Sequence, residues 1–160
     1  MLRCGTAFRD STPAGPVYLM GYAARHGKAT DGAVHDPLFV KALYLENGGV
    51  KALVLSLDLC ELSLPDARNL SDGIEKATGV ANVLVSVTHT HSAPITIEGR
   101  GEETGFDPVW FETVCEKAVE AAAEAAGNPF PARAGAGAVS APEVGKNRRP
   151  DSDVTDPALS

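Results

Sequence analysis

Short apolar runs separated by turn residues occupy the first half of the chain, and these runs predict β-strands. Residues 3–10 form the first run, and residues 38–46 and 50–59 form the next two, separated by Asn-Gly-Gly at residues 47–49. Asn-Gly supplies the positive φ angles of a tight hairpin turn, so we expect these two strands to pair antiparallel. The third run is almost continuously apolar, which predicts a central strand covered on both faces.

Two later segments have the capping residues and the apolar spacing of helices. Residues 65–78 follow Ser63, which can cap a helix, and precede Gly79, which suits the left-handed position after a helix. Residues 108–126 follow Asp107, another capping residue, and their apolar side chains recur on one face. The apolar stripe of this second helix is rich in alanine, which predicts close packing against a sheet.

The order of these elements predicts an α/β fold with a mixed sheet. A strand at residues 82–88 follows the first helix, and strand–helix–strand order implies a parallel, right-handed crossover. The sheet therefore combines an antiparallel hairpin at about residues 38–59 with parallel crossover connections, and residues 132–139 are consistent with another strand. The last ten residues are polar and have no closing element, so we expect the 160 residues to be an incomplete domain.

Length and composition fit one globular domain with a sizeable core. The formal charge of −7 argues against a nucleic-acid partner, which would require a basic stripe. No apolar stretch is long enough to cross a bilayer, and the N-terminus lacks the apolar centre of a signal peptide, so we expect a cytoplasmic protein. Cys4, Cys60 and Cys115 are odd in number and widely spaced, which predicts reduced thiols, with Cys60 and Cys115 as small core residues.

The sequence Thr-His-Thr-His-Ser-Ala-Pro at residues 88–94 carries the strongest chemical signal in the chain. His89 and His91 directly follow the strand predicted at residues 82–88. Their side chains would point to the same face if the strand persisted that far, and neutral imidazole is a common zinc ligand. Asp58 ends the neighbouring parallel strand, so we expect it at the same edge of the sheet, where open α/β folds bind ligands.

Other interpretations of the two histidines stay open. Histidines at this spacing also occur as ordinary polar residues at the end of a strand. Among other metal hydrolases, metallo-β-lactamase-like enzymes continue His-x-His with x-Asp-His, whereas Ser-Ala-Pro follows here, and barrel amidohydrolases carry the pair on their first strand. A non-catalytic α/β domain whose acidic surface binds a partner protein is a further alternative.

Several motifs resemble the N-terminal part of the neutral/alkaline, non-lysosomal ceramidase family, in the same order and across nearly the whole chain. The most specific is the histidine motif at residues 86–94, in which the family usually has Gly where this chain has Ala93. Another is Asn147-Arg148, after which members often have Ser where this chain has Arg149. The remaining matches are Met-Gly-Tyr at residues 20–22, His-Asp-Pro-Leu at 35–38, Lys-Ala-Leu at 41–43, Leu-Ser-Leu-Asp-Leu at 55–59 and Asp-Pro at 156–157.

The resemblance implies a zinc amidohydrolase that splits ceramide into sphingosine and a fatty acid. It implies that His89 is a zinc ligand and that His91, as a catalytic residue, lies beside the metal and contacts the scissile amide or its oxyanion. Arg148 would bind the substrate or stabilise the oxyanion. The substrate is expected to be a small-molecule or lipid N-acyl amide. Three further residues are expected to contact it: Asn147, Gly21 and Tyr22.

The residues that are present agree with amide hydrolysis. Zinc lowers the pKa of a bound water to about 7 and polarises a carbonyl group. A fixed cation such as Arg148 adds ~2–4 kcal/mol of transition-state stabilisation, and Asp58 is expected to orient a ligating imidazole. The resemblance places the remaining zinc ligands (a His, a Glu and a Tyr) and the active-site Ser beyond residue 160. We therefore expect the 160 residues alone to bind zinc weakly and to hydrolyse negligibly.

Overall fold

The computed structural model describes residues 1–22, 24, 27–97, 105–142, 147 and 158–159, the last two by their backbone only. Within these described residues, seven strands and two helices form a mixed α/β structure, which confirms the predicted fold class. In chain order the elements are β1 (Arg3–Asp10), β2 (Phe39–Asn47), β3 (Val50–Leu57), α1 (Leu64–Thr78), β4 (Val83–Val87), α2 (Pro108–Gly127), β5 (Phe130–Pro131), β6 (Val139–Ser140) and β7 (Ala158–Leu159).

The main sheet has the strand order β4-β3-β2-β1-β5, and a small second sheet pairs β6 with β7. Strand β2 pairs antiparallel with β1 and β3, whereas β3 and β4 pair parallel through the crossover helix α1. The predicted hairpin and crossover are therefore both confirmed. Helix α2 packs on β1 and β2, and α1 packs on β4 and α2, so the two helices form one layer against the sheet.

The hairpin between β2 and β3 differs from the prediction in the residues that form its turn. Asn47 is the last paired residue of β2 and lies opposite Val50. The two residues between them are Gly48 and Gly49, with φ angles of 58° and 85°. Positive φ at both central positions is typical of a type I′ turn, so the Gly-Gly pair, rather than Asn-Gly, makes the tight connection.

Strand β3 is fully buried on one face only. Leu53, Leu55 and Leu57 point towards the helices and are at most 1% exposed. The alternating residues Val54 and Ser56 are half-buried. The prediction that both faces are covered is therefore wrong for the part of the chain that the structure describes. The hydrophobic core lies between the sheet and the two helices.

Both helices begin as predicted, because a side chain satisfies their first backbone N–H groups. Ser63 accepts a hydrogen bond from the backbone N–H of Asp66, and the Asp107 carboxylate accepts from Val109 and Trp110. The predicted apolar stripe of α2 is buried throughout: Trp110, Val114, Ala118, Ala121 and Ala125. Among the described residues, no helix has both the length and the apolar character needed to cross a membrane.

The chain after α2 also departs from the prediction. The strand expected at residues 132–139 is absent from 132–138, which have no regular structure. Instead, the two residues of β5 pair antiparallel with the start of β1, and the backbone N–H of Ala132 donates to the Leu2 carbonyl. The alternating Ala, Arg and Gly of this stretch lack the β-branched residues that usually form strands.

The three cysteines are thiols, as predicted. Cys60 is buried, and Cys4 and Cys115 are half-buried. Burial raises the pKa of the Cys115 thiol to about 11, with a further contribution from nearby carboxylates such as Asp66. Cys115 is therefore a protonated and unreactive thiol at neutral pH.

Substitution of Gly5 tests how closely α2 approaches the sheet. A Cβ atom at Gly5 would lie 1.9 Å from the carbonyl oxygen of Ala125, so Gly5→Ala should destabilise the protein by at least ~1–3 kcal/mol through overpacking. The control is Gly73→Ala in α1, where the added Cβ would be 3.7 Å from Val119 and should stabilise the helix by up to about 1 kcal/mol. Urea unfolding of both variants measures these changes in the free energy of unfolding. Equal stabilities of the two variants would contradict the close packing of α2 on the sheet.

Candidate metal centre

The carboxyl ends of β3 and β4 meet at one edge of the sheet, as the parallel crossover predicted. Leu57 and Val87, the last residues of the two strands, are register partners, and the backbone N–H of Thr88 donates to the Leu57 carbonyl at 3.0 Å. The segment that follows β3 carries Asp58 and Cys60, and the segment that follows β4 carries the two histidines. Two chain segments are thereby fixed side by side where each leaves the sheet.

The histidines do not meet through strand alternation, which was the predicted reason. Strand β4 ends at Val87, and His89 has a φ angle of 60°. It is the only non-glycine residue with a positive φ among the described residues. Such a conformation costs about 1–3 kcal/mol and is typical of functional sites, where the surrounding structure holds it in place.

A hydrogen bond to a backbone carbonyl fixes the ring of His89. Its Nδ1 lies 2.7 Å from the carbonyl oxygen of Cys60. A carbonyl only accepts, so we assign the proton of the neutral ring to Nδ1, which leaves the lone pair on Nε2. That Nε2 is 3.3 Å from Nε2 of His91, and the two rings are nearly perpendicular, with their centroids 4.8 Å apart. His89 is exposed to solvent, and His91 is half-buried.

The Met-Gly-Tyr segment packs against His91. The backbone N–H of Met20 donates to the Ala93 carbonyl, and that of Ile95 donates to the Tyr18 carbonyl, so the two segments run side by side. The Tyr22 and His91 rings then meet edge to face, with their centroids 4.7 Å apart.

Gly21 is required at its position for two reasons. Its φ angle is 107°, which side chains rarely adopt, and a Cβ atom there would lie 2.5 Å from Cγ of His91. The structure therefore brings Gly21 and Tyr22, two of the predicted substrate-binding residues, into contact with the predicted catalytic histidine.

Cys60 is part of the site, which the sequence did not predict. It is 3% exposed, as expected for a small core residue, but its Sγ is 3.8 Å from Nδ1 of His89. One potential ligand atom from each of Cys60, His89 and His91 lies within 4.8 Å of the others. The signal that was available is its place just beyond the end of β3, two residues after Asp58.

Asp58 makes contacts other than the one predicted for it, and its role beside a ligating imidazole stays a prediction. One oxygen of its carboxylate accepts a hydrogen bond from the backbone N–H of Phe39 at 2.9 Å and lies 3.9 Å from Nζ of Lys41. The group that orients His89 is the Cys60 carbonyl instead. The Asp58 side chain thus links the start of β2 to the end of β3 by a hydrogen bond.

The opposite side of the histidine turn borders a separate cavity of about 480 Å³. Thr90 and Ser92, which alternate with the histidines, line this cavity together with Asp58. His35 also borders it, and its ring is exposed and paired with Asp36 at 2.7 Å. The turn therefore has two sides, one with both imidazoles and one with hydroxyl groups.

Two predicted residues remain without a structural account. Arg148 lies outside the described residues, so its predicted oxyanion role stays a prediction. Asn147 is described as a half-buried residue outside regular secondary structure. Its predicted contact with substrate also stays a prediction.

Comparison with known proteins finds similarity to neutral ceramidases both in sequence and among solved structures. The chain is 29% identical over 140 residues to neutral ceramidase A of Dictyostelium discoideum, covering 81% of this chain and 19% of the relative. A structure of a ceramidase complexed with C2 superimposes with a TM-score of 0.79 at 23% identity. Neutral ceramidase from Pseudomonas aeruginosa gives 0.67 at 18% identity. Both structural matches cover 98% of this chain and 28% of the other chain. No protein-family model matches.

The fold and the site define an α/β domain with a candidate metal centre, one thiol and two imidazoles, at the carboxyl edge of its sheet. The sequence match, together with the shared fold, supports a relationship between this chain and the neutral ceramidase family, and it confirms the resemblance inferred from the motifs. The chain spans about a fifth of the length of the curated relative it matches.

Gly21 provides a test of the contact that positions His91. Gly21→Ala should destabilise the protein by ~1–3 kcal/mol more than Gly15→Ala, because both glycines have positive φ but only Gly21 faces a side chain. A Cβ atom at Gly15 would meet nothing within 4 Å, which makes this variant the matched control for backbone strain. Urea unfolding measures both, and NMR follows the ring signals of His91. Equal losses with unchanged His91 signals would contradict the contact.

Proposed function

We propose that this chain is part of a zinc-dependent amidohydrolase that cleaves ceramide or a related N-acyl amide. The relationship to the neutral ceramidases supports a ceramidase-like hydrolase. The observation that carries the proposal is the pair of Nε2 atoms 3.3 Å apart, with the ring of His89 held from behind by the Cys60 carbonyl.

The pair of imidazoles fits a zinc ion bound by one ring and flanked by the other. The Nε2 lone pair of His89 is a donor of the type that zinc prefers, and Nε2 of His91, 3.3 Å away, would lie beside a metal bound there. Histidine ligands commonly donate their other ring N–H to a carbonyl or carboxylate, as Nδ1 of His89 does. In this proposal His89 is a metal ligand through Nε2.

A zinc ion held there would supply a nucleophile at neutral pH and polarise the scissile carbonyl. The protein's own contribution is to hold His91 next to that position. Its ring is packed between Tyr22 and His89, so its orientation is fixed before a substrate arrives. From this position His91 would donate a hydrogen bond to the developing oxyanion or relay a proton to the leaving amine.

The substrate would approach over Tyr22 and Gly21. The Tyr22 side chain is 57% exposed and presents an aromatic surface beside His91. Gly21 has no side chain to obstruct the approach, and its backbone lies directly against the His91 ring. Arg148 and Asn147 would contact the amide or its oxyanion, and further zinc ligands would come from parts of the protein outside these 160 residues.

Replacement of His89 in the complete protein tests the proposed function. His89→Ala should reduce bound zinc from about one equivalent to near zero, and hydrolysis of a fluorescent N-acylsphingosine should fall at least ~10²-fold, because the ligand and the electrostatics it supports are lost together. Zinc is measured by elemental analysis and hydrolysis by product release.

His35→Ala is the matched control, because His35 is exposed, is paired with Asp36 and lies outside the proposed metal centre. It should keep both zinc and activity. Full zinc content in the His89→Ala variant would overturn the ligand assignment. Absence of any N-acyl amide hydrolysis by the zinc-loaded protein would overturn the reaction class.

A further inference from the structure

We infer that Thr96 is a positioning residue for His89, because its buried hydroxyl holds the chain segment whose carbonyl orients the His89 ring. This inference rests on the proposed function, in which Nε2 of His89 binds zinc. It goes beyond that function in naming a residue outside the histidine motif, and it gives this residue no contact with the metal or with the substrate.

Thr96 is a polar residue in the apolar surroundings of the site. It is 2% exposed, and its Oγ1 lies 3.7 Å from the sulfur of Met20, which packs with Cys60 and Ile95. Among the described residues, only Ser11 is another polar residue with this degree of burial. A hydroxyl group removed from water costs free energy unless it forms a hydrogen bond, so the partner of this hydroxyl matters to the fold.

The partner of the Thr96 hydroxyl belongs to the segment that orients His89. Oγ1 of Thr96 donates to the Glu61 carbonyl at 2.6 Å. Glu61 directly follows Cys60, whose own carbonyl lies 2.7 Å from Nδ1 of His89. The sulfur of Met20 is only a weak acceptor, so the single hydroxyl proton is given to the carbonyl. The hydroxyl therefore fixes the backbone one residue beyond the carbonyl that holds the ring.

Thr96 also connects two segments that the backbone hydrogen bonds around it do not connect. Residues 93–96 follow the histidine turn directly, and their backbone hydrogen bonds join them to residues 18–20. Those bonds position the Met-Gly-Tyr segment and do not involve the segment after β3. The Thr96 side chain adds a connection to that segment through Glu61.

The fixed carbonyl matters because it selects the tautomer of His89. With the Cys60 carbonyl in place, the proton lies on Nδ1 and the lone pair on Nε2, which is the form that binds a metal there. The positive φ of His89 adds to this requirement, because such a conformation persists only where its surroundings hold it. Loss of a group that orients a ligating imidazole typically costs about 10–100-fold in metal affinity.

Thr96→Val in the complete protein tests the inference, because valine has nearly the shape of threonine and lacks the hydroxyl. Zinc affinity, measured by competition with a chelator, should fall about tenfold, the lower end of that range, since Thr96 acts through the backbone. In the zinc-free protein, two-bond ¹H–¹⁵N NMR should show His89 as the Nδ1–H tautomer, and in Thr96→Val a mixture of both tautomers. Thr96→Ser keeps the hydroxyl and should retain the affinity and the tautomer of the unmodified protein.

The control is Thr78→Val at the end of α1, which removes a hydroxyl that donates to the Ile74 carbonyl at 2.7 Å, outside the site. It should leave the zinc affinity and the His89 tautomer unchanged, so the loss of any buried hydroxyl is not the cause. Unchanged zinc affinity or an unchanged tautomer in Thr96→Val overturns the inference. An equal loss in Thr96→Ser or in Thr78→Val overturns it too.

These outcomes are distinct from a failure of the proposed function. Zinc retained by His89→Ala overturns the ligand assignment, whereas the tautomer is measured without metal and reports only on how the ring is held. If Thr96→Val does not fold, Thr96→Ala is compared with Thr96→Ser, because these two variants differ only in the hydroxyl. Equal zinc affinities and equal tautomers in that pair overturn the inference.

Discussion

The parallel pairing of β3 with β4 is the constraint on which the rest of the site depends. It makes both strands end at the same edge, with Leu57 beside Val87, and so places Cys60 and His89 within one hydrogen bond of each other. A slip of one residue would move His89 by about 3.3 Å along the strand and break its 2.7 Å contact with the Cys60 carbonyl. The crossover helix α1 fixes this register, because Leu70 and Ile74 are buried in the core beneath the sheet.

The conformation of His89 turns this edge into a site with two chemically different sides. Its positive φ angle rotates the chain out of the strand immediately after Thr88. The His91 ring then packs against Tyr22, with His89 and the Cys60 thiol near it, whereas Thr90 and Ser92 line the separate cavity. Backbone strain at His89 is offset by several fixed contacts, among them the 2.7 Å hydrogen bond of its ring and the pairing of residues 18–20 with residues 93–95.

Sequence reasoning predicted the parts of this structure that local patterns control. The caps at Ser63 and Asp107 and the stripe of α2 follow from neighbouring residues, and the shared edge follows from the handedness of crossovers. The strand predicted at residues 132–139 was wrong for 132–138, because alternating Ala, Arg and Gly imitate the period of a strand without supplying the β-branched residues that usually form one. The open face of β3 could not be predicted, because whether Val54 is covered depends on where the helices lie and not on its neighbours in the sequence.

The candidate metal centre was predicted only in part, for a physical reason. Two histidines close together in the sequence are visible as a motif, but Cys60 is separated from His89 by a helix and a strand. Its thiol becomes a neighbour only through tertiary structure. The same applies to Asp58, which shares the edge with the histidines as predicted but accepts its hydrogen bond from Phe39. The sequence predicted that Asp58 lies at this edge, but it did not predict that the Asp58 carboxylate accepts its hydrogen bond from Phe39.

The most direct measurement is a crystal structure of the complete, zinc-loaded protein with anomalous diffraction data collected at the zinc absorption edge. If His89 is a zinc ligand, one anomalous peak should lie about 2.0–2.1 Å from its Nε2, with Nδ1 of that ring still donating to the Cys60 carbonyl. A fully occupied zinc elsewhere in the protein, with none bonded to Nε2 of His89, would contradict it.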